Sequence, residues 1–175
     1  MSKKGQKKMR VDYLTDKEKK AFRNELNERN RLIFDIGVTT GLRISDVLNL
    51  RVNQLMREHV IITEKKTGKK RRIYISTAIR EKAIDIASKE FKNLNEPLFD
   101  VDRKSVWAAF KRAAERAEIK KNIGTHSMRR SYSKRYIAKG HSLKELQKRL
   151  NHSCISDSIN YITSNKDLGI TEKGE

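Results

Sequence analysis

One cysteine, one proline, few aromatic residues and a shortage of acid mark this chain of 175 residues. The single Cys, Cys154, excludes a disulfide framework and a thiolate metal cluster, since each needs several sulfur atoms. No apolar run is long enough to span or anchor in a bilayer. The lysines at the N-terminus are not followed by the apolar stretch of a secretory signal. No cluster of carboxylates suggests a pair of metal ions for hydrolysis, and the four histidines lack a metal-ligand spacing. Asp102-Arg103-Lys104 fits the D-x-K tripeptide of some metal nucleases, a match that a lysine-rich chain produces by chance. Neither a metal nor another cofactor is expected.

Base is abundant. Lys and Arg number 41 against 22 Asp and Glu, a formal net charge of +19. That excess is too large for solubility tuning and points to a polyanion as partner. With membrane lipid disfavoured, the expected partner is nucleic acid and the expected place is cytoplasmic and nucleoid-associated. The length suits one domain with one hydrophobic core.

Residues 1–10, MSKKGQKKMR, carry bases and no acid and read as a basic arm or the end of an interdomain linker. Thr15 and Glu18 have the spacing of a capping box, which predicts a helical region from there to about Gly41, broken near 28–31. A short helix with Val47, Leu48 and Leu50 follows. HVIIT and RIYIS are β-branched runs joined by EKKTGKKR, with Gly68 available for positive φ, so a β-hairpin with a basic tip is expected. Helical periodicity predicts further helices over 77–91 and 103–118. Thr125 can cap one over 126–139 that ends at Gly140, Ser142 one over 143–150, and a last short helix should hold 155–162. The fold class is α+β, mostly helical, a single domain with a small antiparallel sheet.

Several segments carry chemistry. In GTHSMRRSYSKRY, His126 and Arg129 share a face at a helix N-terminus, a good receptor for phosphate. Spacing alone does not choose between Arg129 and Arg130. In TTGLRISDVLNL, Arg43 lies among apolar residues and needs an anionic partner, for which Asp46 is the candidate. The tip offers Lys65, Lys66, Lys69, Lys70, Arg71 and Arg72; beside arginines, one lysine of such a set becomes a usable general acid. In LNHSCISDSINY, Tyr161 follows His152 by nine residues in a stretch too polar to need the ring for a core.

These pieces resemble the tyrosine recombinases, the phage integrase family, in order and separation: an Arg in TGLRISD, a Lys in a hairpin, HSMRR opening a helix, and LNHS nine residues before a Tyr. The match covers roughly 13–165. It implies a catalytic domain that cuts and rejoins DNA through a 3′-phosphotyrosyl bond, without metal or ATP. It further implies Arg43, Lys66, His126, Arg129, His152 and the nucleophile Tyr161 as catalytic residues, with Asp46 in support. Lys65 competes with Lys66 for the hairpin role. Lys65, Lys69, Lys70, Arg71, Arg72, Arg130, Lys134 and Arg135 are the expected DNA contacts. Arg43, Arg129 and His152 would supply fixed donors to the phosphate, His126 would take the phenol proton, and Lys66 would protonate the leaving 5′-oxygen.

Three positions depart from the family's usual pattern: Asn151 for Gly, Met128 for Leu, and Asp46 for Glu. Family members usually add an N-terminal DNA-binding domain. The expected organisation is therefore a catalytic fragment: a basic arm or linker over 1–12, the catalytic domain over 13–165, and a tail over 166–175. By the same resemblance, the tail packs against a neighbouring subunit, with Ile162, Leu168 and Ile170 as its anchors. The partners implied are double-stranded DNA and further copies of the chain, a homo-tetramer on DNA and a monomer in isolation, with no membrane. A type IB topoisomerase-like enzyme and a catalytically silent DNA-binding domain are the alternatives. A purely electrostatic nucleic-acid binder explains the charge but not the ordered set.

Overall fold

The computed structural model describes residues 10–152 and 154–163. Most of the expected basic arm, and the tail with Leu168 and Ile170, lie outside the described residues. Nine helices and one hairpin are described, in the expected α+β arrangement.

Helix α1 (Asp16–Asn24) starts at the expected capping box: the Thr15 hydroxyl accepts from the Glu18 amide, and the Glu18 carboxylate accepts from the Thr15 amide at 2.7 Å. The break before α2 (Glu28–Thr40) falls at 25–27, just ahead of the expected place. Asn27 decides it, because its side-chain oxygen takes the Asn30 amide at 2.9 Å and caps the new helix. Gly41 closes α2 at φ 67°, its amide bonded to the Gly37 carbonyl. α3 (Ile44–Leu48) and a turn of helix not anticipated from the sequence, α4 (Val52–Leu55), lead to the hairpin.

Strands β1 (His59–Thr63) and β2 (Lys70–Tyr74) pair antiparallel, His59 opposite Tyr74 and Thr63 opposite Lys70. Gly68 supplies the positive φ of the turn. The second strand begins two residues earlier than RIYIS suggests, so Lys70, Arg71 and Arg72 belong to the ladder and not to the tip. Side chains alternate across a strand, and the register turns Arg71 inward between Val60, Ile62 and Ile73.

The remaining elements are α5 (Thr77–Lys89), α6 (Arg103–Arg116), α7 (His126–Ala138), α8 (Leu143–Arg149) and α9 (Ile155–Ile162). Asp102 caps α6 by accepting the Ser105 amide at 2.7 Å, a structural use for the acid of the D-x-K match. Ser142 and Glu145 form the capping box of α8. Thr125 does not cap α7: its backbone is already helical and its hydroxyl makes no cap bond, while the Ser127 hydroxyl accepts the Gly124 amide at 3.1 Å. Among the described residues no helix is long and apolar enough to cross a membrane.

The main core holds Phe22, Phe34 and Phe110 of α1, α2 and α6, with ring centroids 5.0 to 6.1 Å apart. A second, small cluster of Tyr132, Leu146 and Leu150, with Ile137 and Ile162 against it, seats α8 and α9. Ile162 therefore packs within its own chain. Residues ahead of α1 also belong to the domain: the Asp12 amide bonds the Asn122 carbonyl and the Leu14 amide the Ser131 hydroxyl.

Helices α2 and α7 cross at two glycines. A Cβ on Gly37 would come within 2.3 Å of the Met128 sulfur and 2.9 Å of its Cβ, and one on Gly41 within 2.6 Å of the Tyr132 ring. Alanine inside a helix ordinarily stabilises relative to glycine. Gly37→Ala is expected to do the reverse, lowering stability by roughly 1–3 kcal/mol because the crossing must open. Denaturant unfolding of the two proteins checks this, and equal or higher stability for the variant would refute the close-crossing account.

Candidate active site

Arg43 leaves α2 just beyond the Gly41 stop, and its side chain is 13% exposed. Its partner is not Asp46. Arg43 Nη1 donates to Glu64 Oε2 at 2.7 Å, and Glu64 is fully buried at the start of the hairpin turn. Asp46 instead accepts the Lys65 amide at 2.8 Å and so holds the hairpin to α3. Burial, more than any neighbour, pushes the Asp46 carboxyl above the usual range, with the Lys65 bond opposing. Glu64 escaped the sequence reading, where it was one acid at the edge of a basic tip.

Arg129, one residue past the first turn of α7, is 1% exposed. Its Nη1 donates to the Gly41 carbonyl at 2.8 Å, and its Nη2 to the Leu150 carbonyl at 2.7 Å and to His152 Nε2 at 3.0 Å. Burial, then the charge of Arg43, lowers its pKa to about 10, which still leaves it charged at neutral pH. A guanidinium only donates, so His152 Nε2 accepts and the ring proton sits on Nδ1, which donates to the Ser158 hydroxyl at 2.9 Å. Burial, then Arg129, lowers the His152 pKa to about 4. His152 is thus neutral, with its lone pair aimed at Arg129. In this arrangement it orients the arginine.

Asn151 turns the chain into His152 at φ 52°. Left-handed backbone favours Gly first and Asn next, which explains why Asn is tolerated where the resemblance leads one to expect Gly. α9 then lays the Tyr161 ring on His152, centroids 5.0 Å apart and planes 27° apart, with the Arg129 guanidinium 5.4 Å from the ring centre.

Arg43, Lys65, Lys66, His126, His152 and Tyr161 line one open cleft of about 440 Å³, joined by Arg103, Ser45 and Asp157, which the sequence reading did not single out. Arg129 lies beneath it. His126 stands exposed at the mouth with part of its ring walled in. This partial desolvation, then the charges of Arg129, Arg43, Arg103 and Lys66, lowers its pKa below the ordinary imidazole value. Lys65 and Lys66 both line this cleft, and Lys65 also lines the adjoining groove with Arg29 and Arg103.

Two expected DNA contacts are corrected. Arg71 is 6% exposed, donates to the Thr40 carbonyl and stands 3.7 Å from Glu64. Arg130 is 3% exposed and donates to the carbonyls of Asn160, at 2.9 Å, and Thr163. Both point inward because the register of β2 and the helical turn of α7 face them to the core. Lys134 lies over the Tyr13 ring at 4.9 Å and Arg135 donates to the Val38 carbonyl at 2.9 Å, neither in the cleft. Lys65, Lys69, Lys70 and Arg72 are exposed.

The model of the phage integrase family matches residues 11–167. A probable integrase/recombinase of Bacillus subtilis (strain 168), YoeC, is 32% identical over 149 residues, 81% of each chain. A tyrosine recombinase of Thermosipho africanus is 29% identical over 163 residues, 86% of this chain but 56% of that one, so the chain spans about half that relative's length. Among solved structures, the catalytic domain of bacteriophage HP1 integrase superposes with a TM-score of 0.67 at 26% identity, covering 87% of each chain. Fold, motif order and the convergence of those motifs on one cleft agree with these matches, and the chain belongs to the phage integrase family of tyrosine recombinases.

Proposed function

We propose that this chain is the catalytic part of a site-specific DNA recombinase, an integrase of a phage or another mobile element, with Tyr161 as nucleophile. The observation that carries this reading is the meeting of Arg43, Lys66, His126, His152 and Tyr161 in one cleft over Arg129. Double-stranded DNA is its substrate, with copies of the chain assembling on it. The work is then done at the nucleoid.

The step balances simply. The Tyr161 oxygen attacks a backbone phosphorus, the bond from phosphorus to the 5′-oxygen breaks, and a 3′-phosphotyrosyl ester forms. The phenol proton passes to His126, whose lowered pKa keeps it neutral and able to accept. The leaving oxygen takes a proton from Lys66. Arg43 and Arg129 stabilise the charge that builds on the non-bridging oxygens. Rejoining runs the step backwards with a second 5′-hydroxyl, so no ATP is consumed.

Covalent trapping tests the reading. Wild type incubated with nicked duplexes, randomised around the nick and with chelator present, is expected to form an adduct at DNA 3′ ends. Tyr161→Phe should bind DNA and form none. An adduct that survives this substitution, or a wild type that forms none, would overturn the assignment. Arg43→Ala should bind comparably and cleave roughly 10²–10³-fold slower in single turnover.

The pH dependence follows from His126. Cleavage needs it neutral, so the rate should rise with pH along an acid limb whose midpoint lies below the ordinary imidazole value of about 6.5. A midpoint at or above that value in single-turnover profiles contradicts the proposed proton acceptor.

A further inference from the structure

Glu64 has no part in the step just described, yet Arg43 is built against it. Its side chain is fully buried, and the turn holds its backbone and its Oε2 while Oε1 accepts no hydrogen bond. Its amide donates to the Lys69 carbonyl at 3.0 Å, its carbonyl accepts from the Gly68 amide at 2.8 Å, and the Thr67 hydroxyl donates to Oε2 at 3.1 Å. The carboxylate therefore sits at a fixed point, with Arg43 Nη1 at 2.7 Å and Arg71 Nη1 at 3.7 Å.

We propose that Glu64 is the positioning residue for Arg43: one carboxylate sets the guanidinium toward the cleft and ties it to the turn that carries Lys66. The inference rests on the phosphotyrosyl reading of the same site. Arg43 shares its surroundings with Arg71 and Arg129, two cations that repel it. Without a local anion, a partly exposed guanidinium next to them swings toward solvent. Glu64 holds it by Nη1 alone, which leaves the other donors of the fork for a phosphate.

The competing view is that Glu64 merely neutralises Arg71. Distances speak against it: Oε2 takes a hydrogen bond from Arg43, whereas Arg71 Nη1 stands 3.7 Å from Oε1 without bonding it, and Arg71 gives its Nη2 to the Thr40 carbonyl. Asp46 adds a second strut between the same two segments through the Lys65 amide. The donor of the α3 segment and the acid of the hairpin thus move as one body, as a reaction that needs both in register requires.

The test uses the chain as it is, with nicked duplexes recovered from the wild-type adduct, and reads single-turnover cleavage and DNA affinity separately. Glu64→Gln should slow cleavage on the order of 100-fold while Kd stays within about threefold. Formate added to Glu64→Ala should restore part of the rate, which a purely structural loss would not allow. Should Glu64→Gln fail to fold, Glu64→Leu combined with Arg71→Met removes both buried charges together, a change often neutral for stability, and must still cleave slowly. A wild-type rate in either folded variant overturns the proposal while the nucleophile assignment stands. A wild type without a Tyr161-dependent adduct removes both.

Discussion

The buried arginines of this domain, Arg71, Arg129 and Arg130, are held by helix ends. A helix leaves its last carbonyls without partners and carries a partial negative charge there. Arg129 donates to the carbonyls of Gly41 and Leu150, which close α2 and α8. Arg71 donates to Thr40 and Arg135 to Val38, both in the last turn of α2. Arg130 donates to Asn160 and Thr163 at the end of α9, and Arg31 to Arg23 and Leu26 around the end of α1. Carbonyl dipoles satisfy guanidinium hydrogen bonds without cancelling a full charge. Had carboxylates done the same work, the interior would be better neutralised and the cleft would attract a phosphodiester far less. A chain with so little acid and a formal charge of +19 can bury arginines because it uses backbone for them.

The end of α2 is the hub of this arrangement. Three guanidiniums, from β2 and α7, converge on its final carbonyls, and Arg43 departs from it two residues later. Close approach of α7 is what lets Arg129 reach Gly41, and that approach depends on bare glycine at Gly37 within α2 and at Gly41, its C-cap. A feature of packing thereby becomes a feature of electrostatics. The positive φ at Gly41 both stops the helix and exposes the carbonyl that Arg129 needs.

Signals confined to a few residues were legible in the sequence. The caps at Thr15 and Ser142, the stop at Gly41, the turn at Gly68 and the span of α9 follow from local backbone chemistry. The order of Arg, Lys, His-x-x-Arg, His and Tyr was legible only as a resemblance, because nothing local brings residues 43 and 161 together. Pairing across the chain was not legible. Asp46 is the nearest acid to Arg43 in sequence, but α3 faces it to the hairpin backbone, and the hairpin folds Glu64 back onto the arginine. Arg71 looked like tip charge because an inward-facing Arg breaks the polar–apolar alternation from which strands are read. Arg129 and Arg130 are adjacent cations in one helix and both are buried. Only the position of α9 sets the first under the Tyr161 ring and the second on the carbonyls of Asn160 and Thr163.

That last division bears on how Tyr161, the proposed nucleophile, is held. Tyr161 presents the face of its ring to Arg129 and His152, whereas the reacting atom is the oxygen at the ring's edge. A cation near an aromatic face is attracted to it, more strongly where water is excluded, so the ring covers the arginine that the phosphate must reach. On the proposed reading, entry of DNA would exchange one partner of Arg129 for another, a diffuse π face for a full negative charge. On that reading the guanidinium would stay where it is, held by the Gly41 and Leu150 carbonyls, and the ring would move. The small cluster under α9 and the bonds from Arg130 to its last carbonyls are modest anchors. They dock the helix, and on the proposed reading the Tyr161 ring would have to leave Arg129 before its oxygen attacks a phosphorus held there.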